Sequence, residues 1–376
     1  MARVWADNGA PVSVHVDAKT PRPEIAQMRA DLGDLPQVVF SRRHVCEWGT
    51  FSLVRATQDA AALLLDRFPD LTHVILVSGA CLPLRPVADL RAFLARYPQR
   101  DFIESVTAED VGWTVGGLNM ERFERYFPVS WRKRRRTFDW LVDLQRKFRL
   151  RRRMPRGLAP HLGSQWWCLR RHTVEKVLEF CASRPEVLRF FETTWIPDET
   201  FFQTVVPHVV PRREIRARTL TYLVFTDYGM PVTFYNDQYD LLLGQDYLFA
   251  RKISPEALRL RERLGALWAA SGVHFPISNE ATGLFRFLTG RGRIGRRFAQ
   301  RFWETEGSLG RDTKLLLVVA KKWHVAKRLT AAIRRLTQVP AADYLFNELD
   351  AHLPDLGGVE TTLKKRDQLL DPFSIT

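Results

Sequence analysis

The sequence predicts an α/β domain followed by a helical region. Strand-like apolar segments alternate with stretches whose apolar residues recur at helical spacing, which is typical of α/β proteins. The chain has 376 residues, of which 45% are hydrophobic, and this suffices for a large packed core. After Pro255 the pattern changes to arginine-rich helical segments. We therefore expect one domain over residues 1–255 and a helical C-terminal region over residues 256–376.

The first part of the sequence contains two short candidate strands. Residues 12–17 alternate apolar and polar side chains and end in the carboxylate of Asp17, and residues 37–40 form the second candidate. Residues 52–68 have apolar side chains at helical spacing. Residues 71–79 then form a nearly continuous apolar run, as a central parallel strand does. This order of strand, helix and strand predicts an open α/β sheet.

Polar residues at the ends of the predicted strands indicate a cleft. A helix is expected over residues 87–97, and residues 101–104 form a further strand. Ligands of open α/β sheets bind beyond the carboxyl ends of the strands. The residues expected to converge there are Asp17, Ser78, Gly79 and Glu104. The alternative is that each is only a turn residue at the end of a strand.

A turn of small residues precedes two tryptophans. Gly163 and Ser164 are candidates for the cleft, and Trp166 could stack on the face of a sugar. Tandem tryptophans in an apolar strand are more often part of a core, so packing is the alternative role for Trp166. A helix is expected directly afterwards, over residues 172–181.

An acidic pair and a basic pair supply the candidate chemistry. Asp198 and Glu199 follow a proline and precede an apolar helix, where a carboxylate could act as a base. Stabilisation of the helix N-terminus is the alternative role. Arg251 and Lys252 end an apolar run and suit an anionic leaving group. Together the two pairs indicate glycosyl transfer from a nucleotide sugar.

These residues make the chain similar to the Core-2/I-branching glycosyltransferase family, which includes branching β-1,6-N-acetylglucosaminyltransferases and peptide O-xylosyltransferases. The resemblance covers roughly residues 10–255, and the order and spacing of its elements are more specific than any one of them. The elements are Val-His-Val-Asp-Ala-Lys at 14–19, Trp-Gly-Thr-Phe-Ser-Leu-Val at 48–54, Leu-Val-Ser-Gly at 76–79, Gly-Ser-Gln-Trp-Trp at 163–167, Pro-Asp-Glu at 197–199 and Phe-Ala-Arg-Lys at 249–252.

The resemblance implies a GT-A-like fold that binds a UDP-sugar and needs no metal ion or other cofactor. Glu199 would be the general base that deprotonates an acceptor hydroxyl in one inverting displacement. Arg251 and Lys252 would neutralise the departing diphosphate in place of a metal. The transferred sugar would be N-acetylglucosamine or xylose, and the acceptor a hydroxyl of a glycan or a protein in surface glycan synthesis.

The resemblance also implies which residues bind the nucleotide and which bind the acceptor or the sugar. Arg122 and Arg125 could face the acceptor, although a solvated helix face is an equal alternative for both. The nucleotide would be bound by Asp17, Ser78 and Gly79. The acceptor or the sugar would be bound by Glu104, Gly163, Ser164, Trp166 and Asp198.

The sequence departs from the family pattern at two points. Cys81 stands where relatives usually carry an aspartate, which leaves the choice of donor sugar open. Relatives also begin with an additional strand before the region that matches residues 12–17, which here is preceded by residues 1–9. If that strand is missing, we expect a catalytically impaired, truncated homologue that acts as a basic membrane- or glycan-binding protein.

A basic segment over residues 131–156 holds most of the net charge. It contains twelve Lys and Arg against two Asp, a net charge of +10 within the +15 of the chain. Its apolar residues recur at helical spacing, so an amphipathic helix is expected. The helix could lie on an anionic membrane surface, bind an anionic glycan or nucleic acid, or be solvated. Nucleic acid is the least favoured of these partners.

Other features argue against a metal site and against a membrane span. The four cysteines are scattered without the spacing of metal ligands. The chain has no run of about 18 apolar residues, and residues 1–7 show neither the apolar region nor the small-residue cleavage site of a secretory signal peptide. We therefore expect a cytoplasmic chain, with peripheral attachment to the inner membrane face as the alternative.

Overall fold

The computed structural model describes residues 2–109, 119–225, 231–273, 275, 277 and 323–337. The helices are α1 (Ala2–Asp7), α2 (Arg22–Leu32), α3 (Ser52–Arg67), α4 (Val87–Arg96), α5 (Glu121–Glu124), α6 (Arg135–Lys147), α7 (Arg171–Ser183), α8 (Pro185–Glu192), α9 (Phe201–Val209), α10 (Tyr239–Leu243), α11 (Leu258–Ala269) and α12 (Trp323–Leu336). The strands are β1 (Val12–Val14), β2 (Val38–Phe40), β3 (His73–Ile75), β4 (Leu82–Pro83), β5 (Asp101–Phe102), β6 (Val106–Thr107), β7 (His161–Leu162), β8 (Cys168–Arg170), β9 (Ile215–Arg216), β10 (Thr221–Leu223) and β11 (Phe249–Arg251). Short 3-10 helices occupy Pro197–Glu199, Arg212–Glu214 and Asn236–Gln238.

The chain divides into two compact units. The first unit comprises residues 1–78 and 87–221, and the second comprises residues 79–86 and 222–376. Residues 222–255, which the sequence assigned to the first domain, thus group with the second unit. The predicted boundary at residue 255 stays a prediction.

The first unit has the mixed α/β composition that the sequence predicts. Its largest sheet has the strand order β3-β8-β5-β9, while β1 pairs with β2 in parallel and β6 pairs with β7 antiparallel. The expectation of a central parallel strand within residues 71–79 is wrong, because β3 pairs antiparallel with β8. An apolar run indicates burial on both faces of a strand, but it does not determine the direction of the neighbouring strand.

The core of the first unit lies around helices α3, α7 and α9. Helix α9 is apolar on nearly all sides, so it is buried over most of its length. The ring of Phe201, at the start of α9, packs edge-on against Phe51 (centroids 5.7 Å apart) and Phe191 (5.2 Å). This packing fixes the amino end of α9, and the 3-10 turn that carries Glu199 immediately precedes it.

A buried ion pair joins three strands of the largest sheet. Arg170, at the end of β8, contacts Asp101 of β5 (Nη2 to Oδ2, 2.7 Å), which is fully buried. The same guanidinium contacts Glu214 (2.6 Å), directly before β9. Burial opposes the charge of Arg170, but these two carboxylates outweigh it and raise the pKa of the guanidinium. The network therefore ties β5, β8 and β9 together.

The second unit contains a three-stranded sheet in the order β10-β11-β4. Helix α11 buries Leu260, Leu264 and Trp268, and the Trp268 ring lies 6.0 Å from that of Phe249 in β11. Within the C-terminal region, the sequence predicts helical segments rich in arginine at residues 256–270 and 315–336, and these contain α11 and, from Trp323 onward, α12. Residues 315–322 lie outside the described part of the chain.

Candidate functional site

One turn of small residues contacts both candidate acidic residues, Glu104 through its carboxylate and Glu199 through its backbone. The amide of Gly163 donates to the backbone oxygen of Glu199 (3.1 Å), and the amide of Ser164 donates to Glu104 Oε2 (3.0 Å). A Cβ atom at position 163 would lie 1.9 Å from the carbonyl oxygen of Glu104. Only glycine therefore fits at position 163, and the turn brings Glu104 and Glu199 to the same place.

The sheet topology explains why these segments meet. Strands β3 and β5 both pair antiparallel with β8, so they run in the same direction. Ser78 and Glu104 follow β3 and β5, while the turn at residues 163–164 precedes β8. All of these residues consequently lie towards one edge of the sheet, as the sequence predicts for Ser78 and Glu104.

The side chain of Gln203, in helix α9, forms a hydrogen bond with the turn at residues 163–164. Its Nε2 donates to the backbone oxygen of Ser164 (2.6 Å) and lies 3.5 Å from that of Asp198. Ser105 Oγ donates to the backbone oxygen of Gln203 (2.7 Å), which links the helix to the segment after β5. The turn is thus positioned by buried polar contacts.

The carboxylate of Glu199 forms an ion pair with the buried side chain of Arg122. Arg122 Nη1 is 2.9 Å from Glu199 Oε2, and the side chains are 7% and 27% exposed, respectively. One end of the carboxylate is therefore held by the protein, while part of the side chain remains accessible to a reactant. This is the arrangement that a positioned base needs.

The segment before Glu199 has a constrained backbone. Ile196 adopts a left-handed conformation (φ 50°), and its amide donates to the backbone oxygen of Gly49 (3.3 Å). A Cβ atom at Gly49 would approach the Trp195 ring to 3.1 Å. The Trp-Gly element at residues 48–49 therefore helps to place the loop that carries Glu199.

Glu104 is half-buried, and the partial loss of solvent around its carboxyl group raises its pKa. The Ser164 amide opposes this rise in pKa, whereas the negative charge of Glu199 adds to it. Two half-buried carboxylates with different surroundings therefore flank the turn, Glu104 with a raised pKa and Glu199 in an ion pair with an arginine. Such pairs are common where a site separates the roles of its acidic groups.

Asp198 and Trp166 lie deeper than the sequence suggests for binding residues. Asp198 is buried, and Trp166 is only 3% exposed. The neighbouring Trp167 belongs to the core and packs against Phe202, with centroids 5.0 Å apart. Burial favours the packing alternative for the two tryptophans, and a binding role for Trp166 or Asp198 stays a prediction.

Asp17 lies where the parallel strands β1 and β2 end. Its Oδ1 accepts from the Lys19 amide (2.8 Å), and Arg43 Nη2 donates to its backbone oxygen (2.9 Å). The rings of His15 and His44 stack nearby with centroids 5.9 Å apart. Burial, followed by the charge of His44, lowers the pKa of His15. This strand end presents a carboxylate with neighbouring cations, and nucleotide binding there stays a prediction.

The predicted donor residues Gly79, Arg251 and Lys252 belong to the second unit. Arg251 ends β11, and the backbone oxygen of Lys252 accepts from the Phe234 amide (2.8 Å). Lys252 is exposed, whereas Arg251 is half-buried. The convergence of these residues with Glu199 stays a prediction.

The structure adds Gln203 to the site, and it pairs Arg122, which the sequence offered as a residue facing the acceptor, with Glu199. The solvated helix face considered for Arg122 and Arg125 is wrong, because Arg122 is buried and the Arg125 side chain is 11% exposed. Arg122 lies 77 residues from its partner Glu199, so no local pattern reveals the pair. In the sequence, the aromatic residues close to Arg122 are the only indication that its side chain is buried. The sequence does not single out Gln203, because helix α9 contains other polar residues and the contacts of Gln203 depend on segments distant in the sequence.

The described residues contain no group of three or more His, Cys, Asp or Glu side chains that could hold a metal ion. The same described residues include no helix with the length and hydropathy required to cross a bilayer.

Comparison with known families gives two matches. Residues 12–239 match the family model described as Core-2/I-Branching enzyme, which covers more than half of the chain. Residues 251–369 match a family of unknown function (DUF5928). No match was found among curated proteins. The first match contains all the candidate residues discussed above except Arg251 and Lys252.

Proposed function

The chain belongs to the Core-2/I-Branching enzyme family and is therefore a glycosyltransferase, and we propose that it transfers N-acetylglucosamine or xylose from a UDP-sugar to an acceptor hydroxyl. The observation that supports this most is the contact of Glu199 with Arg122, beside Glu104 and the Gly163–Ser164 turn. The fold would be GT-A-like, and the acceptor a hydroxyl of a glycan or a protein in surface glycan synthesis.

Glu199 is the general base of this proposal. It takes the proton of the acceptor hydroxyl while the hydroxyl oxygen attacks the anomeric carbon of the sugar. The bond from that carbon to the diphosphate oxygen breaks, UDP leaves with the bonding electrons, and the configuration at the carbon is inverted. A positioned base contributes about 10²- to 10⁴-fold in rate, which a neutral hydroxyl needs because it is a poor nucleophile.

Arg251 and Lys252 stabilise the leaving group in the same proposal. Expulsion of UDP builds negative charge on the diphosphate, and fixed cations stabilise that charge most effectively where water is partly excluded. The two cations would act in place of a metal ion, so transfer would continue in EDTA. Asp17, Ser78 and Gly79 would contact the nucleotide.

The donor sugar is open between two candidates. The Phe-Ala-Arg-Lys element at residues 249–252 resembles the xylosyltransferase branch more closely than the other branch. Cys81, which replaces the usual aspartate, is fully buried. A panel of UDP-sugars that includes UDP-xylose and UDP-N-acetylglucosamine would separate the candidates by the rate of UDP release.

Calorimetric titration of UDP in EDTA tests the donor half of the proposal. We expect the Arg251→Ala variant to bind UDP about 10- to 100-fold more weakly, because a charge-assisted hydrogen bond contributes about 1.5–3 kcal/mol. Arg259→Ala, which removes an exposed arginine of α11, is the matched control and should bind as the unaltered chain does.

Two results would contradict the donor assignment. Equal UDP affinity of the Arg251→Ala variant and the unaltered chain would remove Arg251 from the site. Failure of the unaltered chain to bind UDP or any UDP-sugar would favour the catalytically impaired binding protein.

A further inference from the structure

Helix α6 exposes an apolar ridge instead of burying it. Trp140, the half-buried Leu144 and Phe148, which directly follows the last helical residue, come at intervals of four residues, so they lie along one side of the helix. Trp140 is 59% exposed, Phe148 is 61% exposed, and Leu150 just beyond the helix is 51% exposed. Large apolar side chains that form an exposed patch of this kind indicate a site of interaction with another apolar surface.

The opposite side of α6 packs against other residues of the first unit. Phe138 and Val142 are buried against Phe127 and Trp195. Gln145 on the same side accepts from the Tyr126 amide (2.8 Å) and donates to the Tyr126 backbone oxygen (2.9 Å). The exposed ridge is therefore not the face through which the helix packs on its own unit.

Unpaired cations border the ridge. The two acidic residues of α6 are each close to an arginine of the same helix, Asp139 to Arg135 (3.7 Å) and Asp143 to Arg146 (3.5 Å). Arg136 and Lys147 lie on the ridge side, four residues before and seven residues after Trp140. They are exposed, as are Arg149 and Arg153, and none of the four forms an ion pair with a described residue.

Arg152 anchors the segment that follows α6. Its buried guanidinium donates to the backbone oxygens of Arg122, Phe123 and Phe190 and to the hydroxyls of Thr193 and Thr194. Burial lowers the pKa of Arg152 to about 10, so it stays charged at neutral pH. The exposed residues on either side of Arg152 are thus held against the protein.

We propose that this face of residues 136–153, which we call the basic ridge, docks the protein on an anionic lipid bilayer. The apolar side chains would enter the headgroup region, where tryptophan is favoured, and the flanking cations would contact anionic lipids. A polyanion in water, such as an anionic glycan or nucleic acid, would satisfy the cations but would leave Phe148 and Leu150 exposed. The combination of both features favours the bilayer.

Vesicle flotation with the full chain tests the proposal. We expect binding to vesicles of phosphatidylcholine with phosphatidylglycerol and little binding to phosphatidylcholine alone. Arg136→Glu with Lys147→Glu should weaken the binding at least 10-fold, since each cation near an anionic surface contributes about fivefold. Trp140→Ala with Phe148→Ala and Leu150→Ala should weaken it at least as much, because the apolar contact is lost.

Matched controls separate docking from a general surface effect. Leu258→Ala removes an exposed leucine of α11 (68% exposed), and Arg22→Glu reverses an exposed charge on α2. Both should leave vesicle binding unchanged. Because all the altered side chains are exposed, thermal unfolding of each variant should match that of the unaltered chain.

Two results would overturn the proposal. One is unchanged vesicle binding by the triple alanine variant, which would mean that the apolar ridge does not enter the bilayer. The other is binding to soluble heparin or duplex DNA that exceeds vesicle binding and is insensitive to the triple alanine change. That result would assign the ridge to a polyanion instead. Neither readout requires glycosyl transfer, so the proposal is independent of the proposed activity.

Discussion

A methyl group at position 163 would lie 1.9 Å from the carbonyl oxygen of Glu104, so the turn that contacts Glu104 and Glu199 depends on the absence of one side chain. The sequence indicated Gly163 and Ser164 as cleft residues because small residues precede the tryptophans. It raised Arg122 as a residue that could face the acceptor but not as the partner of Glu199, because that contact depends on folding across 77 residues. At the scale of residues, local composition therefore identifies the turn but not the partner of the proposed base.

Gly163→Ala should destabilise the protein. The added Cβ atom meets backbone atoms, which must shift, and overpacking of this kind costs about 1–3 kcal/mol. Urea unfolding measures the change in the free energy of unfolding. Gly265→Ala in α11 is the matched control, since a Cβ atom there meets nothing within 4 Å and should be neutral or slightly stabilising. Equal effects of the two substitutions would contradict the close approach at Gly163.

Glu104→Gln should stabilise the protein near neutral pH. Burial raises the pKa of Glu104, with a smaller contribution from the charge of Glu199. The folded protein therefore holds that proton more tightly than the unfolded chain does, and stability is lost as pH rises from the unfolded pKa through the folded one. Glutamine carries no charge and can still accept from the Ser164 amide, so it avoids this loss.

The pH dependence of Tm tests the Glu104 prediction. The Tm of the Glu104→Gln variant should exceed that of the unaltered chain near neutral pH, and the difference should vanish towards about pH 4, where the ordinary carboxyl group becomes protonated. Glu192→Gln, at an exposed position, is the control. A Tm difference that grows on acidification would contradict the raised pKa.

Secondary structure elements divide into those that sequence predicts well and those that it does not. Helices α3, α4 and α7 begin and end within about two residues of the expected positions, because helical spacing is a local property. Strand pairing is not local: β8 lies between β3 and β5, and the residues of β8 follow those of β3 by more than 90 positions. For this reason the antiparallel direction of β3 could not be predicted from residues 71–79.

Arg170→Met should cause a large loss of stability at the level of the sheet. The substitution leaves the fully buried Asp101 carboxylate without its cation, and breaking a buried pair in this way costs about 3–5 kcal/mol. Urea unfolding, compared with Arg189→Met at an exposed position of α8, measures the effect. A loss below about 1 kcal/mol would show that the network does not stabilise the junction of β5, β8 and β9.

For the whole molecule, the sequence predicted the α/β character, the family and most of the residues now found around the turn at Gly163. It divided the chain at residue 255, close to the point where the second family match begins at residue 251. Residues 79–86 and 222–255 nevertheless group with the second unit, because β4, β10 and β11 share one sheet. Sheet membership of this kind depends on pairing between distant segments, which periodicity does not reveal.

Turnover by the Glu199→Gln variant tests the central claim most directly. UDP release from the preferred UDP-sugar would be measured in EDTA, with Glu192→Gln as the control at an exposed position. If Glu199 is the base, the rate should fall about 10²- to 10⁴-fold in the Glu199→Gln variant while the affinity for UDP stays unchanged. A Glu199→Gln variant that releases UDP as fast as the unaltered chain would contradict the assignment of Glu199 and the mechanism built on it.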